Sequence, residues 1–144
     1  MTDIAIRPAV PAEIPGLLAF WAGAAEGTSI SDDPAGVARL LARDPEALLV
    51  AERDGAVVGT LITGWDGWRA SLYRLAVDPA QRRQGIGAAL LAAAEVRFAA
   101  LGARRIDAMV LDRNELGQRA WRAAGYRPEA QWTRWVKPLP AVDA

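Results

Sequence analysis

The residues best placed to do chemistry in this chain form one short run, Arg82-Arg83-Gln84-Gly85-Ile86-Gly87. It lies between an apolar run at 72–77 and an alanine-rich stretch at 88–101. That order reads as strand, tight glycine-bearing turn, helix. Such a turn places free backbone N–H groups at the positive end of a helix dipole, which is an anion site. Two arginines stand at its lip, although a cation near a helix N-terminus costs roughly 0.3–1 kcal/mol. An anion held between the guanidinium groups and the dipole accounts for them, so the ligand indicated is phosphorylated.

Two familiar phosphate loops do not fit. A Walker loop needs Lys and then Ser or Thr after its second glycine, where Ala88 and Ala89 stand. A dinucleotide fingerprint needs a third small residue where Leu90 sits. Absences narrow the chemistry further. With no cysteine there is no thioester on the enzyme and no thiolate metal site, and with no histidine the commonest base and metal ligand are gone. What remains is carboxylates, tyrosines, backbone groups and water. Metalloenzyme and Ser-His hydrolase readings fall away, and no metal is expected.

The elements that must position this loop are legible in outline. Alternation at 3–7 gives a strand ended by Pro8, and Ile14, Leu17, Leu18 and Trp21 recur at helical spacing. Asp33-Pro34 is an N-cap and first-turn pair for a second helix. A buried strand at 47–52 turns at Asp54-Gly55, a two-residue hairpin signal, and returns at 57–63. Trp65-Asp66-Gly67-Trp68 feeds the strand 72–77. The long helix that follows carries an apolar stripe of Ile86, Leu90, Ala93, Val96 and Ala100, and Gly102 caps it. A strand at 105–111, a helix at 114–124 closed by Gly125, and a last strand at 131–137 complete a mixed α/β order, β-α-α-β-β-β-α-β-α-β. Trp21 and Trp135 read as core.

Length and charge bound the class. The 144 residues make one domain, 1–144, with a frayed tail from Pro138. Hydrophobic content is 52%, and 17 Lys plus Arg balance 17 Asp plus Glu, so no global field favours nucleic acid or membrane. No apolar run reaches about 18 residues and no basic-then-apolar leader is present, so a cytoplasmic location is expected.

The loop with its flanks, Val77-Asp78-Pro79 before and Gly85-Ile86-Gly87 with Leu90-Leu91 after, resembles the R-x-x-G-x-G coenzyme A motif of the GNAT N-acetyltransferases. Asn114 to Tyr126 is similar to that family's N-x-x-A-x-x-x-Y-x-x-x-G-F segment, and the order of elements resembles its whole fold. Gly64-Trp-Asp-Gly-Trp-Arg69 is similar to a D-G-x-R hairpin in a subgroup of small bacterial members. The resemblance implies a sheet with a bulged strand splayed from its neighbour. The pantetheine arm of acetyl-coenzyme A would fill the gap and bond to the main chain of Leu75, Ala76 and Val77. It also implies a diphosphate on the amides of Arg82, Arg83, Gln84, Gly85, Ile86, Gly87 and Ala88, and an arm contact from Asn114.

Direct acetyl transfer to a primary amine, on a small molecule or a protein N-terminus, is then expected, with a homodimer left open. The Val77 N–H would polarise the thioester. Base candidates are Glu26, Asp32, Asp33 and Asp66. Trp121 stands where many members have the tyrosine that protonates the departing thiolate, and an indole N–H has no usable acidity. Tyr126, Tyr73 or water would substitute, for a thiolate of pKa roughly 8.5. The alternative reading is a coenzyme A-binding module with little or no transferase activity.

Overall fold

Asp54 and Gly55 stand at φ of 54° and 79°, the paired left-handed conformations of a two-residue hairpin turn. They join β2 (Leu48–Arg53) to β3 (Ala56–Trp65), and a turn through Gly67 returns the chain as β4 (Ala70–Val77). The structure, a computed structural model, describes residues 3–25 and 31–140. Within them β1 (Ala5–Pro8) pairs antiparallel with β2, and β5 (Ile106–Ala108) pairs parallel with β4. The sheet order is β1-β2-β3-β4-β5, which is the mixed α/β arrangement expected from the sequence.

Helices cover both faces of the sheet. A short 3-10 turn at Pro11–Glu13 leads into α1 (Ile14–Ala24), and α2 is Pro34–Arg43. Asp33 caps α2 as expected, its Oδ1 accepting from the Gly36 N–H at 2.6 Å. On β2, Leu48 and Val50 join Leu17, Trp21 and Leu41 in a core under α1 and α2. Leu49 and Ala51 join Leu90 and Phe98 in a second core under α3 (Ile86–Leu101). Four consecutive buried residues on one strand follow from that sandwich. The chain closes with α4 (Glu115–Ala123). Among the described residues no helix is long and apolar enough to cross a membrane.

Two expectations fail for physical reasons. The buried stripe of α3 is Ile86, Leu90, Leu91, Ala94 and Phe98, while Val96 is 73% exposed. Alanine surrounds this helix, so its sequence has almost no polarity contrast to fix the phase. The segment 131–137 forms no strand, and Trp135, expected in the core, is 91% exposed. Its apolar residues, Trp132, Trp135 and Val136, do not alternate, and a strand of aromatic propensity still needs a paired edge.

α3 sits close on β3 at one point. A Cβ on Gly59 would lie 2.8 Å from Ile86 Cγ2 and 3.0 Å from Leu90 Cδ1. Gly59→Val should therefore lower stability by about 1–3 kcal/mol through overpacking, read as a lower urea midpoint at unchanged slope. A wild-type midpoint would contradict this close seating.

Candidate functional site

β4 loses regular pairing halfway along. Its register with β3 runs Gly59↔Val77 and Thr60↔Ala76, then resumes at Ile62↔Tyr73, so Arg74 and Leu75 together oppose Leu61. That is a β-bulge. Arg74 sits at φ 54°, a conformation that costs a residue with a side chain roughly 1–2 kcal/mol. Two contacts to described residues hold it. Thr60 Oγ1 donates to the Arg74 carbonyl at 2.9 Å, and the Arg74 guanidinium pairs with Asp32, Nε donating to Oδ1 at 3.0 Å. Because the peptide is trans and planar, the Leu75 N–H points opposite to that carbonyl, away from β3.

The far side of β4 is open at this level. β5 pairs with it only from Ala70 to Leu72, and Met109, Val110 and Leu111 beyond β5 face it across a gap. The Asp78 N–H donates to the Val58 carbonyl at 2.9 Å, which marks a hydrogen-bonded pair. By alternation Thr60↔Ala76 is another such pair and Gly59↔Val77 is not. Val77 therefore turns its N–H and C=O into the gap, alongside the Leu75 N–H. Ala76 commits its main chain to β3, so the expected trio of main-chain donors reduces to Leu75 and Val77.

After Val77 the chain makes a 3-10 turn at Pro79–Gln81, capped by Asp78 Oδ1 on the Ala80 N–H at 3.0 Å. Arg83 and Gly85 then take φ of 65° and 80°. No acceptor among the described residues meets the backbone N–H of any residue from Arg82 to Ala88, and α3 has no side-chain N-cap. Consecutive bare donors at a helix start are an anion cradle. Arg53 Nη1 pins the loop from beneath, donating to Gln81 Oε1 at 2.7 Å and Gln84 Oε1 at 2.5 Å. Nothing local in the sequence marks Arg53 for that role. Gly85 is required by its φ, whereas a Cβ on Gly87 would meet only a Val77 methyl at 3.8 Å. No contact of the described residues therefore requires glycine at 87.

One cavity of about 560 Å³ joins these features, a size typical of small-molecule sites. Leu75, Ala76, Val77, Arg82, Arg83, Gly85, Ile86, Gly87, Ala88, Asn114 and Trp121 all line it. Gln84 does not, being turned to Arg53. Asn114 lines the cavity and also caps α4, its Oδ1 accepting from the Gly117 N–H at 2.9 Å. Arg74 and Arg119 add positive charge, and no carboxylate is among the described lining. Cations, bare amides and an open strand edge suit a ligand with phosphates at one end and an amide-bearing arm at the other.

The sequence profile of the acetyltransferase (GNAT) family matches residues 18–126. The chain belongs to that family. An acetyltransferase of Yersinia enterocolitica is 39% identical over 85 residues, 59% of this chain and 60% of that protein. One from Photorhabdus laumondii is 42% identical over 84 residues, 58% of this chain and 59% of that protein. The chain thus matches these curated relatives over about three fifths of their length. An aminoglycoside N-acetyltransferase solved with coenzyme A superposes at a TM-score of 0.79 and 18% identity, over 96% of this chain and 97% of that one. A protein of Clostridium acetobutylicum, solved with acetyl-coenzyme A and described as a predicted acetyltransferase, superposes at 0.73 and 15% identity over 93% and 96%. At such identities the likeness shows the GNAT fold.

In this GNAT chain several expected catalytic groups lie away from the cavity. Asp66 is exposed in the β3–β4 turn, where its Oδ1 accepts from the N–H groups of Arg69 at 2.6 Å and Trp68 at 2.7 Å. Those bonds hold its carboxyl below the usual range. It is a turn residue at the opposite end of β4 from the loop. Trp65 and Trp68 flank a second hollow with Arg69 rather than the cavity wall. Glu26 lies outside the described residues. Asp33 is the α2 cap. The phenol in the cavity lining is Tyr73, which is 52% exposed.

Tyr126 is not in the lining. Its ring meets Trp121 edge-on, centroids 5.0 Å apart, and its hydroxyl is buried with no hydrogen-bond partner. Burial first, then the nearby Glu95 carboxylate, push its pKa from 10.0 up to about 12. A group so placed does not protonate a thiolate. The folded state holds this proton more tightly than the unfolded chain, so its contribution is intact below pH 10 and is lost as pH climbs towards 12. Urea midpoints should therefore fall between about pH 9 and about pH 11.5 by less in Tyr126→Phe than in wild type. Equal falls would contradict the buried phenol.

Proposed function

We propose that this chain transfers an acetyl group from acetyl-coenzyme A to a primary amine by direct attack in a ternary complex. The observation that carries the reading is the continuity of the Arg82 to Ala88 amide row with the open edge of β4 in one cavity. Family membership supports it. Arg82 and Arg83 would hold the diphosphate with the loop amides, and Val77 would pair with the arm by strand addition. The arm runs from the loop towards the bulge, so its thioester end reaches Leu75. The Leu75 N–H, rather than that of Val77, is then the donor that polarises the carbonyl oxygen.

The amine nitrogen forms a bond to the carbonyl carbon, the C–S bond breaks, and its electron pair leaves on sulfur. The surplus proton of the amine goes to a base, and the thiolate takes one from water or Tyr73. For the base we keep Glu26, a candidate of the sequence that lies outside the described residues. The acceptor class is a small amine or a protein N-terminus, and an aminoglycoside belongs in the panel because a fold neighbour is named for one.

A second reading, a coenzyme A-binding module, is favoured by Trp121 in place of the usual acid and by the absence of a carboxylate among the described lining residues. Incubation with acetyl-coenzyme A and n-butylamine, glycine, an aminoglycoside or a short peptide should release free thiol above the no-enzyme rate. Gly85→Val, strained at φ 80°, should raise the KM for acetyl-coenzyme A by roughly tenfold or more. Thermal stabilisation by coenzyme A with no thiol release from any amine would favour the binding module instead.

A further inference from the structure

Buried behind the bulge is a polar relay that the mechanism above leaves unused. Trp21 of α1 donates its indole N–H to Thr60 Oγ1 at 2.9 Å, and Thr60 Oγ1 donates to the Arg74 carbonyl at 2.9 Å. Trp21 is 4% exposed and Thr60 fully buried, so the shared hydroxyl is shielded from water. The direction of the relay is fixed by chemistry. An indole nitrogen can only donate, so the Thr60 oxygen accepts from it and aims its single proton at the one acceptor in reach. Two threonines are the only polar side chains buried among the described residues. The other, Thr63, ties strand to helix, donating to the Ala47 carbonyl and accepting from Arg97.

We infer that Trp21 and Thr60 are positioning residues that lock the Arg74–Leu75 peptide so that the Leu75 N–H faces the thioester oxygen. The inference rests on the acetyl-transfer reading. Among the described residues Arg74 is anchored by its side chain on Asp32 and by its carbonyl on Thr60. The second sets the plane of the peptide whose N–H enters the cavity. With the hydroxyl gone, the carbonyl has no reason to face β3, and the peptide can rotate while the arginine stays paired. The diphosphate loop, held separately by Arg53, is untouched.

The test is steady-state kinetics with acetyl-coenzyme A and whichever amine of the panel turns over fastest. Thr60→Val keeps the shape and removes the hydroxyl. It should lower kcat by roughly ten- to hundredfold and leave the KM for acetyl-coenzyme A within about threefold, whereas Thr60→Ser should restore kcat to near wild type. A wild-type kcat in Thr60→Val overturns the inference, as does an equal loss in Thr60→Ser, which would make the effect one of packing. Should Thr60→Val not fold, Trp21→Phe keeps the hydroxyl without the donor that orients it. It must then lower kcat at unchanged KM, and an unchanged kcat overturns the inference. A wild-type chain that releases no thiol overturns the transfer reading and the inference with it. Turnover by wild type matched by Thr60→Val overturns the inference alone.

Discussion

The hydrogen bond from Thr60 to the Arg74 carbonyl organises the centre of this molecule. A strand that took no extra residue there would pair along its length with β3 and turn every second N–H into the sheet. The bulge offsets the register by one and holds Arg74 in a left-handed conformation, while Leu75 and Val77, two residues apart, face the edge that β5 leaves unpaired beyond Leu72 among the described residues. An unpaired sheet edge is ordinarily a hazard. Here it sits inside a cavity walled by 109–111 and α4, with the anion loop at one end. One buried hydroxyl thus links the core under α1 to the surface where chemistry is done.

The electrostatics of the site follow the same economy. The positive field comes from backbone amides, the dipole of α3 and Arg82, Arg83 and Arg119 in the lining, while the charge of Arg74 is paired with Asp32. Backbone donors cost no side-chain entropy on binding, and Arg53 holds the loop through Gln81 and Gln84 before any ligand arrives. Preorganisation of this kind raises affinity by reducing what binding must order. It serves the donor half of the reaction.

What the sequence revealed divides along the range of the interactions. The anion loop, the Asp54-Gly55 hairpin and the Asp33 and Asn114 caps are local, each written in residues a few positions apart, and each stands where the sequence put it. The α3 stripe was misplaced because alanine on every face removes the contrast that periodicity needs. The tail strand was misplaced because aromatic residues raise strand propensity without supplying a partner. Ala76 could not be separated from Val77, since that depends on the register with β3. Arg53 and the Trp21–Thr60 pair, 39 residues apart, are contacts of the fold that leave no mark in any short window. Asp66 is the converse case, a base candidate of the sequence whose carboxylate is taken up by the turn N–H groups of Trp68 and Arg69.

The central claim, that an unpaired strand edge and an anion loop form one binding surface for coenzyme A, is tested most directly by residue-resolved amide hydrogen exchange with and without coenzyme A. The account predicts that exchange at Leu75 and Val77 slows together with that at Gly85 to Ala88, while Ala76, already bonded to β3, stays slow and unchanged. Protection confined to the loop, with Leu75 and Val77 exchanging as in the free protein, would contradict it.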